Sequence, residues 1–180
     1  MSVPFEIIEC ERCDYIQTTL VTAGKFVWSD GTEEFWFDRE LGVCVDCQAV
    51  VAMEKFPDPA LLSAAQKRRN GFWNKLTKRY GDDEAGHLAS NAGFSVAESV
   101  MLLGRKPVCL SCGGSHVQRL ALPDDGESNI TAVCLLHITH PGCGGELTIR
   151  GSGGERVAPM GVTRIYDIHG QQISERPGWR

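Results

Sequence analysis

The sequence predicts an α+β protein: two small antiparallel units, each closed by a pair of metal-ligand knuckles, joined by a helical segment. Three observations carry this. Four short motifs, Cys10-x2-Cys13, Cys44-x2-Cys47, Cys109-x2-Cys112 and His140-x2-Cys143, fall in two groups along the 180 residues. Around them, apolar and polar residues alternate at the two-residue period of strands. Between the groups, from Pro57 to Gly104, that period gives way to the three-to-four-residue spacing of helices.

The first unit is placed at residues 1–56. Tyr15–Thr22 reads as a strand stopped at Ala23-Gly24. Lys25–Ser29 and Thr32–Phe37 flank Asp30-Gly31, a hairpin signal because both residues tolerate the positive φ of a tight turn. Leu41-Gly42 then leads into the second knuckle. In the helical segment, 57–105, residues set at 100° intervals put Leu61, Ala65, Phe72, Leu76 and Tyr80 on one stripe. Lys67, Arg68, Lys75, Lys78 and Arg79 lie beside it, and Asn70-Gly71 can split the helix in two. Asp82-Asp83-Glu84 suits a further helix start by capping and dipole. Ser95–Glu98 has the form of a capping box opening Val96–Leu103, with Gly104 as the stop.

The second unit, 106–152, is expected to hold strands at Val117–Leu122, Asn129–Ile138 and Glu146–Arg150, with a turn at Pro123–Gly126. In the last stretch, 153–180, the glycine run Gly151–Gly154 reads as a linker into a strand at Val162–Ile168 that turns at His169-Gly170. Ser174–Arg180 is expected to be loose.

Eight cysteines in 180 residues are too few for a disulfide-built scaffold. The N-terminus, Met1–Glu6, lacks the basic and apolar regions of an export signal, so a cytoplasmic location is expected. No apolar run approaches the ~18 residues of a membrane span, and no membrane partner is expected. In that setting C-x2-C pairs point to metal, because two intervening residues let one tight turn present two sulfurs at ~2.3 Å from one ion. Proximity along the chain makes Cys10, Cys13, Cys44 and Cys47 the first site. Cys109, Cys112, His140 and Cys143 make the second, with Cys134 the alternative to His140. His140-Pro-Gly-Cys143-Gly-Gly matches Cys109-Leu-Ser-Cys112-Gly-Gly in spacing and trailing glycines, which favours His140. Cys134 lies in an alternating run where it reads as a small buried apolar residue. Two Zn²⁺ ions are the expected cofactors, with iron the alternative in the first site.

Knuckle, antiparallel strands, knuckle resembles the zinc-ribbon superfamily in two rubredoxin-like copies, over about half of the chain. The departures are His140 and Gln48, the latter standing where glycine commonly follows the second cysteine. The resemblance implies metal binding; the superfamily spans transcription factors, ribosomal proteins, enzyme subunits and adaptors, so it fixes no partner. Four protein ligands leave no open coordination position, which makes such sites structural. Units of about 40 residues need a metal to hold a core.

Net charge is −5, of which residues 60–81 contribute +6 through Lys67, Arg68, Arg69, Lys75, Lys78 and Arg79, leaving −11 elsewhere. That balance excludes wholesale coating of nucleic acid and leaves room for one local contact with an acidic partner. Phe72, Trp73 and Tyr80 among these cations either stack on bases or bury between the units, and the apolar stripe favours burial. Leu88–Val100 has helix-turn-helix spacing, but Val96–Leu103 carries no Arg, Asn or Gln to read bases. No carboxylate pair, nucleophile with base or phosphate loop stands out, and His87 and His116 are isolated. The expectation is a non-catalytic, adaptor-type protein with another protein as partner; the alternative is nucleic-acid binding through the basic segment. Contact candidates are Lys67, Arg68, Lys75, Lys78 and Arg79, with Trp28, Phe35 and Trp36 on the first hairpin. Alternation sets Trp36 on the face opposite Phe35 and Phe37.

Overall fold

Asp30 builds the first hairpin as its sequence demands. Its carboxylate accepts from Thr32 N–H, Thr32 Oγ1–H and Glu33 N–H at 2.7–2.9 Å, and Gly31 supplies a φ of +94°. The computed structural model describes residues 3–122, 133–157 and 161–177. Their order begins β1 (Val3–Cys10), β2 (Ile16–Thr18), β3 (Lys25–Ser29), β4 (Glu34–Trp36), β5 (Asp38–Cys44) and β6 (Ala49–Lys55). Four helices follow: α1 (Pro59–Asn70), α2 (Phe72–Thr77), α3 (Glu84–Ser90) and α4 (Phe94–Leu102). The chain ends with β7 (Val117–Arg119), β8 (Cys134–Thr139), β9 (Glu146–Val157), β10 (Val162–Tyr166) and β11 (Gln172–Pro177). Of the expected strand over Tyr15–Thr22, the extended part is β2; Thr19–Thr22 forms one 3-10 turn.

These strands make three sheets among the described residues: β2-β1-β9-β8, β11-β10-β3-β4 and β6-β5-β7. This overturns the expected fold class. The protein is mostly β, and no two consecutive ribbons joined by a helix are present among the described residues. The strands pair across the whole chain. β1 runs antiparallel to β9 from Val3↔Val157 to Cys10↔Leu147, and β3 runs parallel to β10 from Lys25↔Thr163 to Trp28↔Tyr166. An alternating pattern marks a strand but not its partner. Ile8, Leu147 and Ile149 are each fully buried, so pairing β1 with β9 hides both apolar faces at once.

Two cores result. Ile8, Leu41, Val43, Val50, Leu120, Leu136, Leu147 and Ile149 fill the space between the first and third sheets. Phe26, Trp28, Phe35, Phe37, Tyr166 and the α4 residues Val96, Ala97 and Val100 make an aromatic core on the second sheet. Trp28 stacks on Phe37 with ring centroids 4.2 Å apart, and its Nε1–H donates to the fully buried Glu54 at 2.8 Å. Glu54 also accepts from Arg105 and from Val108 N–H, so the buried carboxylate is paired and hydrogen-bonded. Trp28 and Phe35 are therefore core residues and not exposed contact candidates, whereas Trp36 is 59% exposed with Lys25 Nζ over its ring at 4.3 Å.

The 57–105 stretch is four short helices. Asp58 caps α1 through Ala60 N–H, and the chain breaks at Gly71 as the Asn70-Gly71 pair allows. Asp83 caps α3 by accepting from Gly86 N–H at 3.1 Å. The capping box at Ser95 does not form. Gly93 occupies the cap position, and Ser95 Oγ–H donates instead to Glu33 on the hairpin at 2.7 Å. A Cβ at Gly93 would lie 2.0 Å from Glu34 O, so glycine is what lets this turn pack on β4. Because Val96, Ala97 and Val100 are buried, α4 is core, and its would-be recognition face is not available.

Two further expectations are corrected. Gly151–Gly154 is the interior of β9 and not a linker: Gly151 pairs with Glu6, and the residues after it fall where the β1–β9 register shifts between Pro4 and Glu6. Residues 174–177 belong to β11, paired with β10, and are not loose. The turn at Pro123–Gly126, the start of the strand at 129–132 and the last residues, 178–180, lie outside the described residues. Among the described residues no helix is long and apolar enough to cross a membrane.

Candidate metal centres

Each knuckle follows or precedes a strand, so strand pairing decides which knuckles meet. β1 ends at Cys10 and pairs with β9, which begins just after Cys143; β5 ends at Cys44 and pairs with β7, which begins just after the third knuckle. The result is nested. An outer cluster joins Cys10, Cys13, His140 and Cys143, and an inner cluster joins Cys44, Cys47, Cys109 and Cys112. The grouping by proximity along the chain, first knuckle with second and third with fourth, is thus corrected. Cys134, the alternative ligand, heads β8 and belongs to neither group.

Within each group all ligand atoms lie within 4.8 Å of one another. In the outer cluster Cys10 Sγ is 3.4 Å from Cys143 Sγ, which is 3.5 Å from Cys13 Sγ. His140 Nδ1 is 3.4 Å from both Cys13 Sγ and Cys143 Sγ. In the inner cluster the Cys44–Cys112 and Cys47–Cys109 sulfur pairs stand 3.7 and 3.8 Å apart. A tetrahedron with ~2.3 Å metal–sulfur and ~2.0 Å metal–nitrogen bonds has S···S edges of ~3.8 Å and S···N edges of ~3.5 Å. A disulfide needs ~2.05 Å. The donors therefore fit a four-coordinate ion and not cross-links.

Backbone N–H groups aim at the sulfurs. Arg12 N–H donates to Cys10 and Gly145 N–H to Cys143 in the outer cluster, both at 3.4 Å. Cys47, Ser111 and Gly114 N–H groups donate to Cys44, Cys109 and Cys112 at 3.4–3.5 Å in the inner one. The residue after the second ligand turns left-handed in three knuckles, with φ of +74° at Gly113, +70° at Gly144 and +52° at Gln48. Gln48 adopts this geometry without being glycine.

One contact spans the two clusters. His140 Nε2–H donates to Gln48 O at 2.9 Å, which places the ring proton on Nε2 and leaves the Nδ1 lone pair facing the sulfurs. Gln48 belongs to the inner cluster's knuckle, so that knuckle orients the outer cluster's histidine. Tyr15 stacks on His140 with centroids 4.4 Å apart and accepts from Val50 N–H at 2.6 Å, tying the ring to β6. Neither Tyr15 nor Gln48 carries a functional signal in the sequence; only the missing glycine at 48 marks a special position.

The thiols do not ionise alike. Burial opposes a Cys10 thiolate, yet hydrogen bonds from Arg12 N–H, Cys143 and Cys13 bring the group down to about 7. At Cys13 the Tyr15 N–H favours the anion, but burial and the neighbouring Cys143 and Cys10 thiols outweigh it and push the group up to about 11. Burial, with its cysteine neighbours, pushes Cys109 up to about 11 and raises Cys47 further. Burial opposes a Cys112 thiolate too, yet Gly114 N–H and the surrounding thiols lower that group. Binding a dication to either set therefore expels protons and weakens as pH falls.

The contact candidates separate. Arg68 pairs with Asp83 and donates to Tyr80 O, which fastens α1 to the start of α3; Asp83 is held down at about 2 by Arg68 first and Gly86 N–H second. Lys67, Lys75, Lys78 and Arg79 are exposed and make no ion pair among the described residues. Phe72 and Leu76, expected on a buried stripe, are 69% and 64% exposed. The break at Gly71 resets the helical phase, so α2 does not continue the apolar face of α1.

No protein-family model, no curated protein and no solved structure matches the chain.

Proposed function

We propose that the protein is a zinc-scaffolded, non-catalytic interaction module. The observation that carries this reading is the pair of closed four-donor clusters at the ends of paired strands, one of three cysteines and a histidine, the other of four cysteines. Three or four cysteines with at most one histidine suit zinc, and four protein donors leave no place for a reacting water or substrate. The zinc-ribbon likeness extends to the knuckles and not to their order in the chain. Iron competes best at an all-thiolate set, which is the inner cluster and not the set grouped by chain proximity. Seven thiolates and two divalent ions take the net charge from −5 to −8, so the exposed cations on α1 and α2 stand out further from the body.

Native mass spectrometry of the untagged protein tests this. The expected spectrum is a single chain carrying two zinc ions under native conditions and none after acid denaturation. One metal, no metal, or iron with its visible charge-transfer absorption overturns the assignment.

A further inference from the structure

We propose that the face formed by the end of α1 and by α2 docks single-stranded nucleic acid. The inference deepens the interaction-module reading, and rests on it, by naming the partner. Of the six cations in residues 60–81, two serve the fold. Arg68 is tied to Asp83 and Tyr80 O. Arg69 donates to Ala89 O and Asn91 O at 2.9 and 3.0 Å, with its guanidinium 4.9 Å from the Phe94 ring centroid. These bonds fasten α1 to the turn between α3 and α4 and make the face rigid at its base.

The other four, Lys67, Lys75, Lys78 and Arg79, are displayed without an acidic partner among the described residues. Within the same stretch of chain Phe72 and Leu76, one helical turn apart on α2, are exposed apolar residues. Lys78 takes a left-handed conformation, φ +53°, that ends α2 and leaves Lys78 and Arg79 beyond the helix. Cations alone would suit any polyanion. An exposed ring among them adds a platform on which a base stacks while the cations hold its flanking phosphates. A duplex keeps its bases stacked inside and spreads phosphates over a wide arc, which the −11 carried by the rest of the chain repels. A single strand needs only the narrow face.

The test is fluorescence anisotropy of labelled oligo-uridine and oligo-thymidine, about 15 nucleotides long, against the zinc-loaded full chain. Three or four phosphate contacts predict a log–log salt slope of about −2 to −3. Phe72→Ala should weaken binding about 5- to 150-fold, the size of one lost stacking contact. Lys75→Glu with Arg79→Glu should abolish it, while Lys106→Glu, on the exposed loop after α4, should leave it intact. The inference is overturned if neither strand binds at ~50 mM salt, if Phe72→Ala binds as wild type, if a duplex binds more tightly, or if a poly-glutamate peptide binds equally well, which would assign the face to an acidic protein. Zinc counted on the same sample separates the two readings. A two-zinc protein that ignores the strands overturns this inference alone, and a chain without zinc overturns the scaffold.

Discussion

The outer and inner clusters use the same knuckle chemistry but are anchored differently. The inner set offers four cysteine sulfurs, three of which receive a knuckle N–H, and as thiolates around a divalent ion they would leave a charge of −2. Its approach is locked by the buried Glu54, which receives Val108 N–H one residue before Cys109. The outer set trades one thiolate for His140 and is anchored through that ring, by Tyr15 stacking and by the carbonyl of Gln48 in the inner knuckle. Two sites that look like repeats in the sequence are thus joined by a direct hydrogen bond. If that bond couples them, linkage makes the coupling reciprocal: emptying either site should lower the metal affinity of the other by the same factor.

The strongest way to break this comparison is to remove a fully buried ligand of the inner set. Cys109→Ser should release the inner ion and, with it, much of the ~10–16 kcal/mol that a structural zinc contributes. A thermal melt with zinc counting should show loss of the cooperative transition and weakened retention of the outer ion. Glu54→Ala comes next. It leaves Arg105 and the Trp28 Nε1–H without their partner and should cost about 3–5 kcal/mol in denaturant unfolding. Its inner-site affinity should fall more than its outer-site affinity. Tyr15→Phe is the mildest: it keeps the stack on His140 but removes the acceptor for Val50 N–H, a loss of about 1 kcal/mol. Competition with a chelator should show this loss mainly at the outer site.

What can be read from sequence is local. The four knuckles, the Asp30-Gly31 hairpin, the Asp83 cap and the break at Gly71 depend on a few adjacent residues and show in their spacing. The partner of each knuckle depends on the pairing of β1 with β9 and of β5 with β7, which no local pattern encodes. The glycines of 151–154 suggest a linker by composition, yet they continue β9, with Gly151 paired to Glu6 of β1. A single 100° phase carried across Gly71 misplaces Phe72 and Leu76, because the helix restarts there. Gln48 acts through its backbone carbonyl, which has no residue-type signature.

The nested grouping is tested most directly by zinc stoichiometry in two double variants, read by native mass spectrometry. Cys13→Ser with His140→Ala strikes the outer cluster twice and should leave one zinc, held by the inner four cysteines. Cys13→Ser with Cys44→Ser strikes each cluster once and should leave no tightly held zinc. The reverse outcome, none in the first variant and one in the second, would mean that each knuckle binds metal with its neighbour along the chain and would contradict the nested assembly.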